Sequence, residues 1–330
     1  MMLRSLAFSL AFSLAATIAL AAADVLAQEA PPVHTEGSPL FGGAPPELVQ
    51  ALADGGVSIE RGMSPARRLA EHRRLDAALA ALRPQRPGIV DAYVLSVALD
   101  SDPVFSREAR EAGRVLAARY DAAGRALTLA GADGRGGAPL AMGSPAAVDA
   151  ALARIAELMD RSEDVLVLYT TSHGAPLGLA YNDGDQGYGA ISPTRLWSVL
   201  SGLGIGNRLL LVSACYSGVF VPMLQSDTTV IVTASAADRS SFGCQAENDW
   251  TFFGDALVNR ALRKRQPLAQ AAAEAQTTIA GWERREKLDP SRPQVAVGAG
   301  AARWLAALEA RMPASIGAPV GRPAVAIPDR

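Results

Sequence analysis

The chain of 330 residues has only two cysteines, Cys215 and Cys244, and three histidines. So few cysteines exclude a scaffold built on disulfides. In an oxidising compartment the two could still pair with each other. Structural zinc is unsupported, since two Cys and one nearby His at these spacings fit no structural zinc pattern. Lysine is nearly missing: Lys264 and Lys287 stand alone, and Arg supplies the rest of 31 basic residues. Against 33 acidic residues the formal net charge is -2. That excludes bulk attraction to nucleic acid or an anionic membrane. The run Arg263-Lys264-Arg265 reads as a solvated helix end. No internal repeat is evident. Beyond the N-terminus no apolar run is long enough to cross a bilayer.

What is present begins with that N-terminus. A single basic residue, Arg4, precedes the apolar "SLAFSLAFSLAATIALAAA", and "VLAQE" places Val25 and Ala27 before a possible cut ahead of Gln28. This is the layout of a secretory signal peptide over residues 1–27. An uncleaved membrane anchor is the alternative reading. The mature chain is expected to be exported, periplasmic or secreted.

Residues 28–63 are rich in Pro and Gly and read as linker. Residues 64–90 carry Arg, Leu and Ala at helical spacing and read as a helical lead-in. From Asp91 continuous apolar runs of strand length alternate with helical patterns. Strands are expected at 93–99, 126–131, 164–171, 208–214, 228–235 and 293–298. Helices are expected at 106–120, after Ser144-Pro145, at 192–203, near 250–262 and at 267–286. Ser followed by Pro is a helix-start signal. Continuously apolar strands between helices indicate an α/β fold, with a mostly parallel sheet of about six strands covered on both faces. The domain spans 91–310, and 311–330 reads as a flexible tail. "YNDGDQGYG" (181–189) clusters acids like a calcium loop, but Gly187 stands where a ligand is needed, so a hairpin turn is the better reading.

In an open parallel sheet, ligands sit beyond the carboxyl ends of the strands. The third strand leaves into "TTSHGAP" and presents His173. The fourth leaves into "SACYSG" and presents Cys215. If the two strands are neighbours, both side chains reach one substrate. A Cys and a His so placed form a nucleophilic pair, with the thiolate as the reactive form. A helix beginning after Cys215 would favour that anion. The N–H groups of Gly174 and Cys215 could donate to an oxyanion.

These residues carry a resemblance. "TSHG" (171–174), "VSACYSG" (212–218), "TASAADRSSFGC" (233–244) and "WTFFGDAL" (250–257) resemble the legumain-type cysteine peptidases, in particular bacterial members, within the caspase-like group. The likeness runs from about Leu75 to about Leu308. It implies a caspase-like fold and a His/Cys dyad, with His173 as base and Cys215 as nucleophile. It further implies an acyl-enzyme, no metal or organic cofactor, and a peptide or protein substrate. Cleavage would follow Asn, less often Asp. The specificity pocket of the family maps onto Arg107, Ser240 or Ser241, and Asp255. A carboxylate and an Arg together suit a side-chain amide. The family's Asn that orients the His has no clear equivalent here; Asp100 or Asp102 could serve in its place. Cys244 falls on a position that is Cys in the family, as pocket packing, as half of a reversible oxidised state, or as an unrelated thiol. The same acyl-enzyme would serve a transpeptidase or ligase. A non-catalytic caspase-like binding protein is the reading of another kind.

Overall fold

The structure is a computed structural model that describes residues 31–39 and 44–325. The signal-peptide reading therefore lies outside the described residues. No helix among the described residues is long and apolar enough to cross a membrane.

In chain order the elements are helix α1 (Pro46–Asp54), strand β1 (Ser58–Glu60), α2 (Pro65–Ala80), β2 (Ala92–Ala98), α3 (Pro103–Arg119), β3 (Ala126–Leu129) and α4 (Pro145–Leu158). There follow β4 (Val165–Thr171), β5 (Gly174–Ala175), β6 (Gly178–Asn182), β7 (Gly187–Ile191), α5 (Pro193–Gly202) and β8 (Arg208–Ser213). The last are α6 (Phe220–Leu224), β9 (Thr229–Thr233), α7 (Leu268–Glu286), β10 (Gln294–Val297) and α8 (Ala301–Ala310). A π-helix spans Gly254–Arg260 and passes into a 3-10 turn at Ala261–Arg263.

The main sheet has six strands in the order β10-β9-β8-β4-β2-β3. All pairs are parallel except β9 with β10. The expected α/β class is borne out. Strands β2, β4 and β8 are buried at every position, because helices cover both faces. Ala92 and Val94 face the cluster formed with α3, the π-helix, α7 and α8. Tyr93, Leu95 and Val97 face the other, formed with α4, α5 and α6. That period-2 division is what a strand imposes on its side chains. Two faces buried at once explain why the sequence shows apolar runs rather than alternation.

Three helices start on Ser-Pro: Ser64, Ser144 and Ser192 each accept from the backbone N–H three residues on. The "YNDGDQGYG" stretch is a hairpin. β6 and β7 pair antiparallel around it, in a small second sheet ordered β1-β7-β6-β5.

Three expectations are corrected. The stretch 28–63 is no bare linker, since it carries α1 and β1, and β1 pairs with β7. Its prolines and glycines punctuate a short helix: Pro46 opens α1 and Gly55 caps it. The tail is anchored as far as Val325. Ile316 and Val325 are buried, and the Val320 carbonyl accepts from Trp250 Nε1 at 2.8 Å. Arg263 is not a solvated helix end. It is buried, donates to the carbonyls of Asn259 and Ile316, and pairs with Glu111.

Candidate active site

β4 and β8 are hydrogen-bonded neighbours, with Thr171 opposite Ser213. His173 and Cys215 each lie two residues past that pair, so parallel register carries both to one edge. Gly174 shows how close the two loops run. A Cβ built on it would stand 2.1 Å from the Cys215 carbonyl oxygen and 3.0 Å from Ala214 Cβ. The glycine is required there by close approach.

Cys215 meets the "RSSFG" segment. Its Sγ accepts from the Ser241 N–H at 3.2 Å and donates to the Ser241 carbonyl at 3.4 Å, with the Ser241 hydroxyl at 3.6 Å. Tyr216 follows in the left-handed region at φ 56°, an uncommon conformation for a bulky residue. It turns the chain sharply and leaves Cys215 at the crest. The expected helix support for a thiolate is corrected. A 3-10 turn at Ser217–Val219 precedes α6, which has only five residues. The N–H groups of Tyr216 and Ser217 already serve the Arg239 carbonyl and Ser235 Oγ. The donor facing the sulfur is Ser241.

His173 is half-exposed, with Nε2 3.5 Å from Asp102 Oδ2. Its ring stands edge-on to Phe105, centroids 5.0 Å apart. Its pKa is raised to about 10, first by the Asp102 carboxylate and next by the Cys244 side chain within hydrogen-bonding reach. Asp102 is held below the usual carboxylate range, chiefly by His173. Asp102 lies just ahead of Pro103, at the start of α3. Of the two acids named for the orienting role, the structure brings Asp102 to the imidazole.

Asp102→Asn should therefore lower the His173 pKa by roughly one to three pH units, as read by NMR titration of the imidazole. The sign for stability follows. The folded-state pKa exceeds the ordinary 6.5, so the pair's contribution is complete below about 6.5 and lost as pH rises through about 10. Asp102 is depressed below 3.8, so the contribution also fades in acid.

The pocket residues divide. Arg107 Nη1 donates to the carbonyls of Ala246 and Asn248 and stands 3.6 Å from Asp249 Oδ1. Ser240 is exposed, and Ser241 touches Cys215. Asp255 is not brought to them. It is fully buried in the π-helix and accepts from Arg260, Asn259 and the Ala324 N–H. The carboxylate that meets Arg107 is Asp249, which reading the sequence missed. Both cysteines are free. Cys244 packs against the small cluster of Ala98, Val104, Phe105, Ala109 and Ala130.

Residues 143–300, which include His173 and Cys215, match the model of the Peptidase C13 family. That match supports a cysteine peptidase similar to the legumain type. No curated protein matches the chain. Among solved structures, caspase-1 from Spodoptera frugiperda is similar at 14% identity and a TM-score of 0.42, over 66% of this chain and 88% of that one.

Proposed function

We propose that this cysteine peptidase is an exported endopeptidase that cuts after Asn, and less readily after Asp, through His173 and Cys215. The observation that carries the reading is the shared register of β4 and β8, with His173 and Cys215 at matching positions past Thr171 and Ser213. The sulfur attacks the scissile carbonyl carbon. The N–H groups of Gly174 and Cys215 receive the developing oxyanion. A His173 pKa of about 10 means that the imidazole carries its proton at neutral pH. In this reading it holds the proton taken from the thiol and delivers it to the leaving amine. The thioester left on Cys215 is then released by water.

Arg107 and Asp249 support the side-chain preference. Arg107 donates Nε and Nη1 to backbone carbonyls, and its Nη2 has no hydrogen-bond partner among the described residues. An Arg beside a carboxylate offers a donor for an amide oxygen and an acceptor for its nitrogen. An Asp substrate would meet the same Arg but face like charge at Asp249. The leader at 1–27 supports export.

A peptide-library digest under reducing conditions tests both parts. Wild type should cut after Asn above all. Arg107→Ala should lower kcat/KM for Asn substrates by roughly 100-fold, the loss expected when a charged hydrogen bond to substrate is removed. Cleavage without side-chain preference would overturn the pocket alone. Absence of any Cys215-dependent cleavage would overturn the endopeptidase reading.

A further inference from the structure

The mechanism leaves His34 unused. It sits in the Pro-rich stretch read as linker, yet residues 31–36 form a strap beside the active-site edge. The strap is fastened to the turn between β6 and β7. The N–H groups of Thr35 and Glu36 donate to Asp185 Oδ1 at 3.0 and 2.9 Å, and the Thr35 hydroxyl donates to Oδ2. A Cβ on Gly184 would stand 2.5 Å from Pro32 Cβ. The strap is also fastened to the loop leaving β2. Ser101 Oγ donates to the Pro32 carbonyl at 3.0 Å and accepts from the Gly184 N–H at 3.0 Å.

These anchors deliver His34 to the loop that carries Asp102. His34 Nε2 is 3.0 Å from Asp100 Oδ1 and 3.5 Å from Asp102 Oδ1. The other oxygen of Asp102, Oδ2, is the one 3.5 Å from His173 Nε2. A single carboxylate is thus shared by two imidazoles. Asp100 Oδ1 also accepts from the Asp102 N–H at 2.8 Å, which ties both acids to one turn.

We propose that His34 is a positioning residue for His173, acting through Asp102. The inference rests on the peptidase reading above. Asp102 is partly exposed and lies at the end of a loop. With Oδ1 unpartnered, its carboxylate can swing toward water. His34 occupies Oδ1 and leaves Oδ2 directed at His173. The groups facing His34 are Asp100, Ser101 and Asp102 from the loop, Asn182 from β6 and Asp183 from the turn. The Asp100 hydrogen bond raises the His34 pKa. That favours an imidazolium able to share its Nε2 proton between the two acids.

The test is steady-state kinetics on an Asn-containing peptide, with full-length wild type, His34→Ala, His34→Gln and Thr35→Ala. For metal-bound histidines, the partners that orient the ring typically contribute 10- to 100-fold, and an effect on that scale is expected here. His34→Ala should lower kcat about tenfold with KM little changed. His34→Gln supplies a neutral donor and should recover most of the loss. Thr35→Ala removes one hydroxyl while the N–H groups of residues 35 and 36 keep the strap on Asp185, so it should leave kcat near wild type. Wild-type kcat in His34→Ala would overturn the proposal. So would an equal loss in Thr35→Ala, or no recovery in His34→Gln. If wild type shows no Cys215-dependent cleavage at all, it is the parent reading that fails.

Discussion

Cys215→Ala should lower kcat/KM on an Asn peptide by at least about 10^4-fold while leaving the fold intact. Removing the nucleophile of a hydrolytic dyad or triad costs on that order or more, because the remaining groups have no covalent route to assist. The fold should survive because Cys215 contributes little packing. It sits partly exposed at a sharp turn, and its sulfur hydrogen-bonds to Ser241. Cys244→Ala is the informative comparison. Cys244 adjoins His173 but packs on Phe105 and Ala130. Its loss should slow the enzyme modestly and leave the cleavage chemistry in place. Kinetics of both variants, with circular dichroism to verify folding, check this.

The largest stability effect should come from Glu108. This carboxylate is fully buried on α3 and accepts from the Tyr169 hydroxyl at 2.6 Å, the Ser213 hydroxyl at 2.9 Å and the Thr251 N–H at 2.7 Å. It therefore ties α3 to β4, to β8 and to the segment entering the π-helix. A Cβ on Gly254 would stand 2.1 Å from one of its oxygens, so the backbone there has closed around the carboxylate. Glu108→Ala strands three buried donors and opens a cavity. The expected cost is roughly 3–5 kcal/mol. Glu108→Gln keeps the shape but replaces one acceptor with a donor, and should cost about 2 kcal/mol. Urea denaturation measures both. Because Ser213 lies two residues before Cys215, the Gln variant should also lose activity. A change under about 1 kcal/mol in Glu108→Ala would contradict this bracing role.

The sheet and the His/Cys pair were legible because their signals are dense. β4 and β8 carry the apolar runs Val165–Tyr169 and Leu209–Val212, and two residues past each strand stands a His or a Cys, in a chain poor in both types. The other site features were not legible, for particular physical reasons. Asp249 and Asp255 stand six residues apart, on either side of the aromatics Trp250, Phe252 and Phe253. Burial inside the π-helix and pairing with Arg260 remove Asp255 from the pocket, and no periodicity announces a π-helix. Glu108 resembles any acid on an amphipathic helix until three donors from distant segments converge on it. The stretch 28–63 misled because prolines and glycines that bound a short helix have the same composition as a linker. His34 was hidden with it, since its meaning lies in contacts more than 60 residues away. The tail misled because a few anchors, Ile316, Val320 and Val325, suffice to pin an otherwise polar segment.

The central claim is that Cys215, rather than the nearby Cys244, is the thiol that His173 serves. Incubation of wild type with an Asn-directed electrophile under reducing conditions, followed by intact mass and peptide mapping, tests it most directly. The account predicts one adduct per chain, on Cys215, suppressed by a competing Asn peptide. An adduct on Cys244, or an unmodified Cys215, would contradict it.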